Sequence, residues 1–126
     1  MSPEVVAKAV KAYFAAIRAM DIPACVDAFA SDAVSHDPVG APPNVGHQKI
    51  EEFFTNIMAA FKEVGLKEDE VFIAGNGAAV RWTGRGISQH GHKVHFEGID
   101  VIEVNEAGKI QTLHAYWNPA EMMSQL

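Results

Sequence analysis

Along the first half of the chain, apolar residues recur every three or four positions, the period of a helix with one buried face. Val6, Val10, Tyr13, Phe14 and Ile17 form the first such stripe. Asp21-Ile22-Pro23 interrupts it and opens a second helix, with Pro23 suited to the first turn and Val26 and Phe29 facing inward. Residues 33–37 read as a short extended segment, because the residue before Pro38 is driven towards extended geometry. That residue is Asp37. Three prolines stiffen the loop from Pro38 to Asn44, and a helix from about His47 aligns Ile50, Phe53, Phe54, Ile57, Met58 and Phe61.

From Leu66 the pattern changes to strands separated by turns. Gly75-Asn76-Gly77, His90-Gly91 and Asn105-Glu106-Ala107-Gly108 divide it into strands near 66–74, 78–88, 93–104 and 109–117. Helices followed by an antiparallel meander predict an α+β fold, with residues 1–126 as one domain. Helices lying across the concave side of a curved sheet leave a pocket between them. Gly84, Gly86 and Gly98 are the expected bending points.

Three polar groups stand where this pattern asks for apolar ones. Tyr13 lies on the buried stripe of the first helix, as a core tyrosine or a pocket donor. Asp100 shares its side of a strand with Val94, Phe96, Ile102 and Val104, and Ile99 and Val101 make the other side apolar too. Such an aspartate must pair with a cation (Arg81 or Arg85 here), take up a proton, or face a cavity. Asp37 reads either as a turn-forming Asp-Pro or as a carboxylate held at a pocket mouth.

The other reactive side chains carry less. His90, His92 and His95 surround a hairpin turn and read as solvated rather than as a metal site. His36 adjoins Asp37 but points to the opposite face, and His114 reads as a sheet residue. Cys25 is a small core residue without a basic neighbour in sequence. A phosphate-binding glycine loop and a serine nucleophile elbow are both missing.

Charge narrows the partners. A net charge of −6 opposes binding to a phosphate backbone, which leaves small molecules and other protein chains. One cysteine excludes an internal disulfide, and Met1-Ser2-Pro3-Glu4 lacks the start of a secretory leader, so the cytoplasm is the expected compartment.

The order of these pieces resembles the bacterial ketosteroid isomerases, the steroid delta-isomerase family within the NTF2-like (SnoaL-like) superfamily. The resemblance rests on Tyr13 in the first helix, Asp37-Pro38-Val39-Gly40 after the second, and Ile99-Asp100-Val101 in the penultimate strand. It extends through Asn105 to Trp117, ending in Ala115-Tyr116-Trp117. It implies an NTF2-like cone, three N-terminal helices on a curved, mostly antiparallel sheet around a hydrophobic pocket. It also implies a cofactor-free and metal-free enzyme that shifts a double bond of a 3-ketosteroid or similar hydrophobic ketone from β,γ to α,β. Matched position by position, Asp37 is the general base, Tyr13 an oxyanion-hole donor and Asp100 a protonated oxyanion-hole donor. Trp117, Phe54 and Leu113 are the implied substrate-binding residues. Phe29 and Phe54 stand where some members carry supporting tyrosines, and His36 where an acidic residue is expected. A homodimer through the exposed sheet face is also implied. Two other readings stay open: a polyketide cyclase or dehydratase, which a pocket-facing His36 or His114 would favour, and a non-catalytic carrier of hydrophobic ligands.

Overall fold

In the computed structural model, which describes residues 1–126, the first two helices each start on a side-chain cap. Ser2 accepts the Val5 N–H ahead of α1 (Pro3–Arg18), and Asp21 accepts the Ala24 N–H ahead of α2 (Ile22–Asp27). The α1 stripe is buried as its spacing predicts, Tyr13 and Phe14 included. Helix α2 ends earlier than expected. The Ile110 N–H takes the Ala28 carbonyl, and Phe29 opens strand β1 (Phe29–His36) instead of closing a helix face.

The proline loop leads into β2 (Asn44–Val45), a two-residue strand with no signature in the pattern. Helix α3 (Gly46–Met58) follows, and it stops before Phe61. Phe61 begins β3 (Phe61–Ala74), which therefore starts ahead of the expected Leu66. The cause is pairing. Strand β4 (Gly77–Ser88) extends to Ser88, and Phe61 lies opposite that residue, so completing the ladder outweighs the helical period.

Strands β5 (Lys93–Val104) and β6 (Ile110–Trp117) complete a six-stranded sheet of order β2-β1-β6-β5-β4-β3. Only β1 and β6 run parallel. Register shifts at Phe61/Glu63 and Glu68/Glu70 mark bulges in β3, which let this long strand curl with its partner. Helix α4 (Pro119–Met123) then closes the chain, burying Met122 and exposing Met123.

Strand β5 alternates as predicted: Val94, Phe96, Asp100, Ile102 and Val104 are buried. Ile99 and Val101 are exposed beside Tyr116 on the outer face, the face the expected homodimer would use. The strand glycines make room for neighbouring rings. A Cβ on Gly84 would lie 2.6 Å from the Phe96 ring. One on Gly98 would lie 2.6 Å from the Trp82 ring and 2.7 Å from the Tyr116 carbonyl oxygen. These positions let large rings rest directly on strand backbone. The 27 buried hydrophobic residues form one connected core between helices and sheet.

The two close approaches differ in kind, and that sets a testable order. Gly84 would meet the tips of side chains, which can swing aside, whereas Gly98 also meets backbone. Gly98→Ala should destabilise the protein by about 1–3 kcal/mol in a denaturant titration, and Gly84→Ala by less. A Gly98→Ala midpoint equal to that of the parent protein would show that the space beside Trp82 is not tightly filled.

Candidate active site

The inward faces of α1, α3 and the sheet enclose a narrow apolar cavity that is partly open to solvent. Fourteen residues line it and 12 are hydrophobic; the remaining two are Asp37 and Asp100. Tyr13, Asp37, Asp100, Trp117 and Phe54 all line this one cavity, so most of the expected site residues converge. Leu113 is the exception. It is fully buried opposite Ile102 and Ser35, further back along β6 than Trp117, the strand's residue in the cavity wall, and works as core.

Asp37 leaves the end of β1 and is pinned from both sides. His36 pairs with His114 across the parallel ladder, and beyond the cis Asp37–Pro38 bond the Val39 N–H bonds the Ala115 carbonyl at 2.8 Å. The Trp117 indole N–H donates to Asp37 Oδ1 at 2.6 Å. Burial raises the Asp37 carboxyl to about 6, with the Trp117 hydrogen bond pulling the other way. The residue is half-buried overall, and no neighbouring charge adds to the desolvation of its carboxyl as Asp37 itself does for Asp100.

Asp100 is 3% exposed and has no cation beside it. Arg81, a candidate partner from the sequence, sits on the outer face bound to Glu70 and Asp69. Arg85, the other candidate, lies on that face too, opposite His95. The Asp100 partner is the indole N–H of Trp82, at 2.9 Å from Oδ1. Desolvation first, and then the charge of Asp37, raises Asp100 to about 8, against the lowering effect of that hydrogen bond.

Phe14, Phe29 and Phe54 hold the Tyr13 ring by edge contacts, at centroid distances of 5.4, 5.4 and 6.2 Å. Phenylalanines thus do stand around Tyr13, as the sequence suggests, and they supply packing rather than hydroxyl partners. The phenol is not sealed away, since it lines the cavity and no fully buried side-chain polar atom lacks a partner. Burial, with the charges of Asp100 and Asp37 behind it, pushes its pKa well up and keeps it a neutral donor.

Trp82 is the site residue that sequence reasoning missed. A signal existed: a buried tryptophan needs a partner for its N–H, and Asp100 was the unsatisfied group on the same sheet face. In the register, Val80 lies opposite Asp100 and Trp82 opposite Gly98, which makes Trp82 the diagonal neighbour of Asp100.

The histidines stay outside. His36 and His114 stack on each other at 4.5 Å and neither lines the cavity. The His92 Nδ1 bonds the Leu126 carbonyl, and no three His, Cys, Asp or Glu side chains gather into a metal-ligand set. Cys25 is buried, its thiol pushed up to about 12 chiefly by burial. No helix is long and apolar enough to cross a membrane.

The chain is similar to known proteins in both sequence and fold. The SnoaL-like domain family matches residues 10–113. The chain is 32% identical over 124 residues to the steroid delta-isomerase of Nocardioides simplex, covering 98% of this chain and 97% of that protein. Its fold also matches SalBIII, an epoxide hydrolase/cyclase-like enzyme of pyran ring formation in the polyether salinomycin. That match has a TM-score of 0.82 and 23% identity, over 92% of each chain.

The electrostatics predict a pH dependence of stability. Asp37 and Asp100 are raised to about 6 and about 8 in the folded chain, so the native state holds more protons than the unfolded one. Their contribution is fully present below the ordinary carboxylate pKa of about 4 and is lost as pH rises through the two folded values. Asp100→Asn removes the larger part of this loss. Denaturant midpoints between about pH 5 and pH 9 should fall more steeply for the parent than for Asp100→Asn. Parallel curves would mean that Asp100 titrates normally.

Proposed function

The chain belongs to the SnoaL-like family of the NTF2-like fold, and from that footing we propose that it is a cofactor-free isomerase of the steroid delta-isomerase type. Its substrate on this reading is a 3-ketosteroid or similar hydrophobic ketone, whose double bond moves from β,γ to α,β. One observation carries the reading: two carboxyls with separated acidities, about 6 and about 8, face a single apolar cavity beside a neutral phenol. Pairs of groups whose acidities are pushed apart by their surroundings are how one site holds both a base and an acid at neutral pH.

The steps balance without a further reagent. Asp37, ionised above about pH 6, removes the proton from the carbon between ketone and alkene. The C–H electron pair becomes part of a dienolate, and the carbonyl π pair moves onto oxygen. Tyr13 and neutral Asp100 donate hydrogen bonds to that oxygen in a cavity where 12 of 14 lining residues are hydrophobic. Asp37 then returns the proton to the far end of the dienolate, the carbonyl re-forms, and the alkene is conjugated with it. The apolar walls keep water from exchanging the proton while the base holds it. Trp117 and Phe54 bound the space the rings of the substrate would fill. A pocket-facing histidine would have favoured the cyclase reading, and neither His36 nor His114 lines the cavity.

Turnover of a β,γ-unsaturated 3-ketosteroid, followed by the absorbance of the conjugated product, tests the reading. Asp37→Asn should lower kcat by about 10²–10⁴ while steroid binding survives. Tyr13→Phe and Asp100→Leu should each lower kcat by about 10²–10³, and Asp100→Asn by less, because the amide still donates. Steroid binding with no turnover by the parent protein would make it a carrier. An Asp37→Asn variant keeping more than about a tenth of kcat would rule out Asp37 as the base.

A further inference from the structure

Each cavity carboxylate receives one indole N–H, Asp37 from Trp117 and Asp100 from Trp82. The second pairing has a consequence for how the acid is used. We propose that Trp82 is a positioning residue, which decides which oxygen of Asp100 carries the acid proton and so presents a single preformed donor to the ligand oxygen. The inference rests on the isomerase reading and deepens it.

Trp82 is firmly held. Its ring lies edge-on to Phe96 at 5.7 Å and to Trp117 at 6.3 Å, over Gly98, where any side chain would collide with it. From that seat its N–H reaches Asp100 Oδ1 at 2.9 Å before any ligand enters. In a protonated carboxyl group the carbonyl oxygen is a stronger acceptor than the hydroxyl oxygen. An N–H fixed on Oδ1 therefore makes Oδ1 the carbonyl and leaves the proton on Oδ2. Without it, the proton could sit on either oxygen, and only one arrangement would serve the dienolate.

The same N–H has an opposing effect. It steadies the carboxylate, so it draws the acidity of Asp100 back down against burial and the charge of Asp37. The titratable groups sharing the cavity with Asp100 are Tyr13 from α1 and Asp37 beyond β1. The cavity residues of α3, β3, β4 and β6 are all uncharged, and Phe96 is the only other one from β5. Trp82 thus trades the upper pH limit of the acid for the orientation of its proton. A residue that only filled space would do neither.

The two indoles make the test a double one. Activity should rise as Asp37 ionises and fall as Asp100 ionises, near pH 6 and pH 8. Trp82→Phe keeps a ring and removes the donor. It should move the upper limb of the kcat profile to higher pH and leave the lower limb in place. The plateau kcat should drop about 3- to 10-fold, the worth of one hydrogen bond. Trp117→Phe should instead move the lower limb to higher pH. An upper limb that stays put or moves down in Trp82→Phe overturns the inference, as does a rise in KM with both limbs fixed. A measurement independent of turnover uses the parent protein with ¹⁵N-labelled tryptophan. The Trp82 indole resonance should follow the titration of Asp100, and the Trp117 resonance that of Asp37. A Trp82 signal that ignores the Asp100 step contradicts the inference even if the protein proves not to isomerise steroids. A Trp82 signal that tracks it upholds the pairing whatever the substrate.

Discussion

Everything in this molecule is arranged around the difficulty of keeping two carboxyl groups in an apolar cavity. Neither Asp37 nor Asp100 has a cation within reach, so the protein does not neutralise them by pairing. It leaves the proton to do so, unequally. Asp100, the more deeply buried, is raised by desolvation and again by the charge of Asp37. Asp37 is raised by desolvation alone and is raised less. The apolar wall that makes ionisation of Asp100 unfavourable is the same wall that would strengthen its hydrogen bond to a developing oxyanion. Acidity and catalysis therefore have one physical origin here.

The fold supplies that wall through details of its sheet. Strand β5 keeps strict alternation, so Asp100 must enter the cavity together with Phe96 and Ile102, or the whole strand would turn inside out. Gly98, between Phe96 and Asp100 in sequence, leaves room for Trp82, and Trp82 is what meets the carboxylate. Asp37 depends on a different device. The β1–β6 ladder holds the chain up to His36 and again at Val39, so the one residue that projects into the cavity mouth sits between two fixed points.

Much of this could be read from the chain before any coordinates. The helix stripe of α1 and the alternation of β5 are repeated local patterns, so they placed Tyr13 and Asp100 on buried faces correctly. The resemblance then tied those two residues to Asp37. Three features escaped because their causes are not local. Phe61 satisfies a helical period and is claimed by β4 from across the sheet. Leu113 is apolar and lies on the same strand as Trp117, and only the three-dimensional packing shows that it is buried in the core and not in the cavity wall. The Trp82–Asp100 bond joins residues on neighbouring strands, and recognising it requires the pairing of β4 with β5 to be known residue by residue.

The central claim is that Asp100 is a neutral acid at neutral pH while Asp37 is a carboxylate. Isotope-edited infrared spectroscopy on protein with ¹³C-labelled aspartate measures this directly. At about pH 7, between the two raised values of about 6 and about 8, the spectrum should contain one protonated-carboxyl band. That band should vanish in Asp100→Asn and persist in Asp37→Asn. A spectrum with only carboxylate bands at that pH, or a protonated band lost in Asp37→Asn instead, would contradict the account.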